Sequence, residues 1–207
     1  MKTISGPDSG LLRWAGKMGT FLGLSVLWIL LCLLVVTIIP ACIAMYDSVV
    51  YCVRGDEPGP YRRFFATLKA ELWRGILLSV LWIIVVLLAV FGFRILSSVG
   101  KENAIFSVYT MVYAGTMLIP LSMLVWVIPL QSRFRYGFFE LHRTALTFAI
   151  LHLPATAGCI GLLLVAVLIV FVLPPLLILL PAIVVTLQAA LIEKVLDQYE
   201  IEELSEK

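Results

Sequence analysis

The chain has 207 residues, of which 62% are apolar and only 14% are charged, and its net charge at pH 7 is +2. Soluble domains carry about 25% charged residues, so this composition excludes an ordinary water-soluble globule. The small net charge gives no indication of nucleic-acid binding. We therefore expect an all-α integral membrane protein, forming a single membrane domain over residues 1–207.

Long uncharged runs predict five transmembrane helices, because about 20 apolar residues are needed to cross about 30 Å of hydrocarbon. In chain order the predicted spans are 21–45, 75–93, 105–131, 154–172 and 176–195. The apolar run near the N-terminus is longer than the 7–15 residues of a signal-peptide core, so we expect a membrane anchor there. Apart from Glu193 and Lys194 at the end of the last one, the predicted spans hold no Asp, Glu, Lys or Arg, so an ion-coupled pump is disfavoured.

Several proline and glycine residues, together with Trp28, are expected to determine where the helices bend, end or pack closely. Proline lacks an amide donor and restricts its predecessor, so Pro174 and Pro175 predict a turn between the last two spans. Pro40 predicts a kink or an end in the first span, and Gly19 with Gly23 forms a GxxxG pair that permits close helix approach. The predicted structural residues are Gly19, Gly23, Trp28, Pro40, Pro154, Pro174 and Pro175.

The distribution of Lys and Arg predicts the orientation in the membrane. The first and third loops and the C-terminus carry the larger group: Arg54, Arg62, Arg63, Lys69, Arg74, Arg133, Arg135, Arg143, Lys194 and Lys207. The N-terminus, the second loop and the fourth turn carry the smaller group: Lys2, Arg13, Lys17, Arg94 and Lys101. The sequence therefore predicts the N-terminus outside and the C-terminus in the cytoplasm.

The hexapeptide LSVLWI occurs at 24–29 and again at 78–83. An internal duplication would give an inverted repeat of the kind found in some transporters. The flanking sequences GKMGTFLG and KAELWRGIL do not match. Chance repetition in a Leu- and Val-rich chain is the favoured interpretation.

Residues that could support chemistry are few. His142 and His152 are ten residues apart, about 15 Å along a helix, which is too far to share a metal ion. The four cysteines form no CxxC pair. We predict no catalytic residue, no cofactor and no metal site, and we expect a protein that is not an enzyme. Asp47 could pair with Arg54, seven residues further on, or could be a solvated carboxylate at a helix end.

Two basic segments rich in aromatic residues, 60–74 and 133–148, are predicted to be amphipathic helices on the cytoplasmic side. Such helices lie along lipid headgroups. Alternatively they form a docking surface for a protein partner. The residues expected to contact a partner or lipid are Asp47, Arg54, Arg62, Arg63, Phe64, Phe65, Arg133, Arg135, Phe138, Glu140, His142 and Arg143.

The segment LWILLCLLVVTIIPACIAMYDSVVYCVRGDEPGPYRRFFATLKAEL resembles the opening of the YesL-like bacterial membrane proteins. The residues that carry the likeness are Leu27, Trp28, Pro40, Ala41, Ala44, Arg54, Gly55, Phe64 and Phe65. A further stretch, ELHRTALTFAILHLPAT at 140–156, resembles the segment before the family's fourth span. The resemblance implies a bacterial plasma-membrane location and an association with carbohydrate ABC importers, and it implies no catalytic residues.

The resulting hypothesis is a non-enzymatic accessory subunit of a bacterial carbohydrate uptake system of the ABC type. Its expected partners are membrane lipids, importer permease subunits and a possible second copy of the chain, with no nucleic acid. The alternative is a self-contained oligomeric transporter or channel for a small solute. An intramembrane enzyme is disfavoured, because no nucleophile and base or metal constellation is apparent.

Overall fold

The computed structural model describes residues 8–54, 58–99 and 104–205, and every regular element in these ranges is helical. The α-helices are α1 Asp8–Cys32, α2 Ile38–Ser48, α3 Pro60–Val99, α4 Ala104–Thr116, α5 Leu118–Phe134, α6 Phe138–Leu151, α7 Leu153–Val172 and α8 Leu180–Ser205. Shorter elements are the 3₁₀ turns Val35–Thr37 and Pro174–Ile178 and the π-helical segment Val49–Arg54. The all-α prediction is confirmed.

Within the described ranges, four segments are long and apolar enough to cross a membrane, judged by length and composition. They are Val35–Cys52, Pro60–Ser98, Ser107–Phe134 and Leu153–Val172. This arrangement indicates a multi-pass membrane protein. The third segment contains both α4 and α5, which meet at Met117.

The expected single span over 21–45 is instead a helical hairpin. Helix α1 ends at Cys32, and the Thr37 hydroxyl donates to the carbonyls of Leu31 and Leu34, closing a tight turn before α2. Pro40 lies in the first turn of α2, where its missing amide proton removes no helical hydrogen bond. These local hydrogen bonds are the physical reason why the apolar run does not continue as one helix.

Contacts along the hairpin show that α1 runs antiparallel to α2. Near the tip, the Trp28 indole N–H donates to Cys42 Sγ at 3.3 Å. Near the open end, the Tyr61 hydroxyl donates to the Gly19 carbonyl at 3.3 Å. A Cβ on Gly23 would overlap the Tyr61 ring, so glycine is needed there. The start of α1 and the start of α3 therefore lie at the same end of the molecule.

Helix α3 contains 40 residues and is continuous. At about 1.5 Å per residue it is about 60 Å long, twice the thickness of the hydrocarbon layer. The segment 60–74 is thus the first part of the second predicted span rather than a separate helix lying flat on the headgroups. Gly75 allows α3 to approach α2, since a Cβ there would lie 2.6 Å from Pro40 Cβ.

The segment 133–148 is likewise not one helix. Helix α5 ends at Phe134, and Arg135 adopts a left-handed conformation with φ 52°. The chain then reverses, and α6 packs back against α5 through the buried side chains of Leu141, Ala145 and Phe148. The prediction of two basic amphipathic helices therefore needs correction in both places.

Both copies of LSVLWI make the same kind of contact between helices. Ser25 Oγ accepts a hydrogen bond from the Ala182 amide in the first turn of α8, at 3.2 Å. Ser79 Oγ accepts one from the Ile39 amide in the first turn of α2, also at 3.2 Å. Both serines are almost fully buried. Each copy thus satisfies an amide that the first turn of a helix leaves without an intrahelical partner.

Candidate functional site

Polar side chains from α2, α3, α5 and α8 meet at one end of the helical bundle. We name this set the polar cluster; it consists of Asp47, Arg63, Thr67, Glu71, Gln131, Arg133, Arg135 and Glu193. Its members come from predicted loops and from helix interiors alike. The cluster joins four helices that are distant in sequence.

Asp47, the charged residue of α2, is buried, with 4% of its surface exposed. Arg63 binds it with two hydrogen bonds, from Nε to Oδ2 at 2.8 Å and from Nη2 to Oδ1 at 3.1 Å. The Thr67 hydroxyl donates to Oδ2 at 2.6 Å. A buried carboxylate needs such partners, because removing it from water is costly.

Glu71 lies one helical turn beyond Thr67 and is 3% exposed. Gln131 Nε2 donates to Glu71 Oε2 at 2.9 Å, and Arg135 Nε lies 3.6 Å from Oε1. The Gln131 Oε1 atom is buried and has no hydrogen-bond partner. These contacts connect the end of α5 to residues 60–74 of α3, which we call its polar half.

Arg133 connects α5 to α8. Its guanidinium donates to Glu193 Oε2 at 2.8 Å and to Asp197 Oδ1 at 2.7 Å. The Tyr46 hydroxyl donates to the other oxygen of Glu193 at 2.7 Å. Helices α2, α5 and α8 are therefore held together by one carboxylate.

A cavity of about 410 Å³ opens beside Asp47. Its lining residues are Asp47, Tyr51, Arg63, Ala66, Thr67, Ser132, Arg133 and Arg135. The Arg63 guanidinium lies over the Tyr51 ring, 3.7 Å from the ring centre. Hydroxyl groups and guanidinium groups dominate the wall, a donor set that suits oxygen-rich anions.

Asp47 is not the solvated carboxylate that the sequence offered as one interpretation, because it is buried and paired with Arg63. The other interpretation, a pair with Arg54, concerns a side chain outside the described residues. The π-helical segment Val49–Arg54 has a wider turn than an α-helix and changes the direction of side chains after Ser48. The expectation that charged residues are absent from the interior of the spans also needs correction, because Asp47 and Glu71 lie inside two of the apolar segments long enough to span a membrane.

The residues predicted to contact a partner divide into two groups. Arg63, Arg133 and Arg135 form ion pairs within the protein, and Phe64 is fully buried. Arg62, Phe65, Glu140 and Arg143 are exposed. The second group is exposed and has no ion pair within the described residues, whereas Arg135 is exposed but paired with Glu71.

On α6, Phe138 is 44% exposed and lies against His142, with 4.8 Å between ring centres. His142 Nδ1 lies 2.8 Å from the Phe138 carbonyl, and its ring stacks on Trp82 at 6.2 Å. The Trp82 indole nitrogen and His142 Nε2 are both buried without a hydrogen-bond partner. His142 is therefore part of the helix packing.

His152 joins α6 to α7, and its carbonyl accepts a hydrogen bond from Thr156 Oγ1.

The predicted structural residues lie at turns and helix contacts, but the two glycines differ in how closely a neighbour approaches. Pro154 is in the first turn of α7, and Pro174 with Pro175 begins the 3₁₀ turn before α8. Gly23 contacts Tyr61, whereas a Cβ at Gly19 would meet no atom within 4 Å. The two glycines thus do not form one contact stripe.

Four cluster members were missed by sequence reasoning: Thr67, Glu71, Gln131 and Glu193. A signal existed for the two on α3. The buried side chains of α3 recur at the spacings of three and four typical of one helix face, at Phe64, Thr67, Glu71, Gly75, Leu78 and Trp82. No local pattern marks Gln131 or Glu193, because their partners are on other helices.

Residues 21–93 match the profile of a family described as "Protein of unknown function, DUF624". The matched region includes α2, the π-helical segment and the polar half of α3, and therefore contains Asp47, Arg63, Thr67 and Glu71. The chain has no significant match among curated proteins or solved structures. YesL-like proteins belong to the DUF624 family, so the match over residues 21–93 agrees with the resemblance seen in the sequence.

Proposed function

We propose that the protein is a non-enzymatic accessory subunit of a bacterial carbohydrate importer of the ABC type, located in the plasma membrane. It acts by packing against permease helices and by docking at the end that carries the polar cluster. The link to carbohydrate import rests on the resemblance to YesL-like proteins. The docking surface rests on the exposed face of α3.

That face is the observation that carries the proposal. We name it the α3 stripe; it consists of Arg62, Phe65, Lys69, Leu72 and Trp73, which follow one another at helical spacing. Trp73 is 75% exposed and Phe65 is 52% exposed. Aromatic and Arg side chains are the residues that most often dominate binding energy at protein interfaces.

The position of the α3 stripe supports a protein partner. The uncharged part of α3 begins at Gly75 and is closed by Arg94, and it is long enough to fill the hydrocarbon layer. The stripe lies on the collinear extension of this span, about 20 Å long at 1.5 Å per residue. A permease loop next to the membrane could therefore reach it without displacing a packed helix.

We further propose that both termini are cytoplasmic. The α1–α2 hairpin places the start of α1 at the end that carries the connection between α2 and α3. Of the 15 Lys and Arg residues, only Arg94 and Lys101 then belong to the opposite side. This orientation follows the positive-inside rule better than the expected external N-terminus.

A self-contained oligomeric transporter or channel is the second candidate. It is favoured by the cavity of about 410 Å³ and by the buried carboxylates of Asp47 and Glu71, since ionisable groups within membrane proteins often line solute pathways. Solute flux into liposomes that contain only this chain would support it. The absence of flux together with recovery of importer subunits would reject it.

The docking proposal is tested by affinity purification in detergent, with mass spectrometry of the recovered proteins. Arg62→Glu with Trp73→Ala should reduce recovery of permease and ATPase subunits about tenfold or more, because loss of an aromatic interface anchor costs about 2 kcal/mol. Neither side chain is part of the polar cluster, so the variant should still fold. Reversing Arg63 or Arg133 would be uninformative, since both form internal ion pairs.

A matched control lies on the other half of the same helix. Phe93 is 45% exposed and Arg94 is also exposed, so Phe93→Ala with Arg94→Glu makes equivalent changes outside the stripe. This variant should recover the partners as the wild type does. Equal recovery by the α3-stripe variant would reject the docking surface.

A further inference from the structure

The cavity beside Asp47 is lined by more positive than negative charge. Arg63, Arg133 and Arg135 line it together with a single carboxylate, Asp47. That carboxylate is already bound by Arg63 and by the Thr67 hydroxyl. The carboxylates of Glu71, Glu193 and Asp197 pair with Arg135 and Arg133 from outside the wall, so an entering anion depends on the guanidinium N–H donors that these ion pairs leave open.

Arg135 is the cavity residue with the most open guanidinium. It is an exposed residue, and among the described residues its ion-pair partner is Glu71, at a long 3.6 Å. A guanidinium has five N–H donors, so this contact uses only a small part of its capacity. Arg135 could hold an incoming oxyanion without breaking the internal ion pairs of Arg63 and Arg133.

Two backbone irregularities converge on this cavity. The π-helical segment Val49–Arg54 carries Tyr51 into the wall, and π-helical turns are rare and frequent at functional sites. Arg135 has φ 52° at the end of α5, a position where glycine is the ordinary residue. Such conformations cost free energy and cluster at ligand sites.

The size and donor groups of the cavity indicate the ligand class. About 410 Å³ is within the range of about 300–1,000 Å³ found for small-molecule sites. Guanidinium groups bind phosphate oxygens with paired, charge-assisted hydrogen bonds, and hydroxyls of Tyr51, Thr67 and Ser132 are present in the wall. We propose that the cavity is a binding site for a phosphate-bearing anion, with Arg135 as its principal ligand-binding residue. This site is independent of the α3 stripe.

The test measures binding of radiolabelled inorganic phosphate to the purified full-length protein in detergent, by equilibrium dialysis at constant ionic strength. The wild type should bind phosphate saturably. Arg135→Gly should weaken binding about tenfold or more, as expected for loss of a charge-assisted contact. Glycine suits the left-handed conformation, but the variant leaves the buried Glu71 carboxylate with Gln131 as its partner. The melting temperature is therefore measured for each variant, and binding is compared at a temperature where both proteins are folded, which separates loss of binding from loss of folding. Arg94→Gln, the same loss of charge at the other end of the molecule, should leave binding unchanged.

A second probe distinguishes a lipid headgroup from a soluble phosphate compound. Dihexanoyl-phosphatidylglycerol and glycerol phosphate are compared as competitors of inorganic phosphate, and retained lipid is measured by native mass spectrometry. Preferential binding of the lipid, lost in Arg135→Gly, identifies a headgroup; competition by glycerol phosphate alone identifies a soluble ligand. The proposal is overturned if the wild type binds neither inorganic phosphate nor either competitor, or if Arg135→Gly binds them equally well.

Discussion

At the scale of single residues, the Asp47–Arg63 pair joins α2 to α3. The bidentate geometry and the added Thr67 hydroxyl satisfy a carboxylate that is 4% exposed. A buried ion pair is weak evidence for net stability, because desolvation opposes the attraction. Removing one partner is different, since the other charge then remains without compensation.

Asp47→Asn should therefore destabilise the fold by about 3 kcal/mol, at the low end for a broken buried pair because Arg63 remains one-third exposed. Thermal and chemical unfolding in detergent would measure the loss. Glu140→Gln changes an exposed carboxylate and should shift stability by less than about 0.5 kcal/mol. Equal stability of Asp47→Asn and the wild type would show that the pair does not hold α2 against α3.

The sequence allowed only part of this pair to be predicted. Asp47 and Arg63 were both expected to be functional, but their pairing depends on two features with no sequence signature. The π-helical segment redirects the side chains that follow Ser48. The packing of α3 against α2 then brings Arg63 to the carboxylate, although the two residues are 16 positions apart in the chain.

At the scale of elements, the repeated LSVLWI segments show how short motifs contribute in this fold. Each provides a buried serine that accepts a hydrogen bond from the first turn of another helix, α8 for Ser25 and α2 for Ser79. Serine and threonine often join helices in this way in membrane proteins. The common contact gives both serines the same structural role, which is to accept a hydrogen bond from the first turn of a neighbouring helix.

Ser25→Ala and Ser79→Ala should each lower the free energy of unfolding by about 1–2 kcal/mol, because each leaves a buried amide without its acceptor. Ser97→Ala is the control: Ser97 Oγ donates to the Arg94 carbonyl in its own helix, and this hydrogen bond is exposed to solvent. Differential scanning fluorimetry in detergent would compare the three. A loss in the control as large as in the buried variants would contradict the assigned role.

Helix positions were predictable where the chain carries strong signals. The predicted span 154–172 differs from α7 by one residue at its start, and the turn at Pro174 and Pro175 was expected. The break in the segment 21–45 was not, because LLVVT contains no glycine, proline or charge. It depends on Thr37, whose hydroxyl lies within hydrogen-bond distance of the Leu31 and Leu34 carbonyls in the turn.

At the scale of the whole molecule, the α1–α2 hairpin changes the interpretation of the charge pattern. With one span over 21–45, the basic residues near the N-terminus would lie on the side opposite to the connection between α2 and α3. In the hairpin the start of α1 and the start of α3 both lie at the end that carries the polar cluster. The tip exposes Leu33, Leu34, Val35 and Val36, and apolar side chains with an internally bonded backbone suit hydrocarbon.

The hairpin therefore makes a prediction about accessibility in oriented membrane vesicles. Ser9→Cys near the start of α1 and Pro58→Cys before α3 should react with a membrane-impermeant maleimide from the same face, and Ser98→Cys at the far end of α3 from the opposite face. The unmodified protein measures background labelling, since its cysteines lie within or beside apolar segments. If the hairpin enters and leaves the bilayer on one side, inside-out vesicles should label the first two positions and right-side-out vesicles the third. Labelling of Ser9→Cys together with Ser98→Cys would instead require residues 21–45 to cross the membrane once, and would reject the cytoplasmic N-terminus.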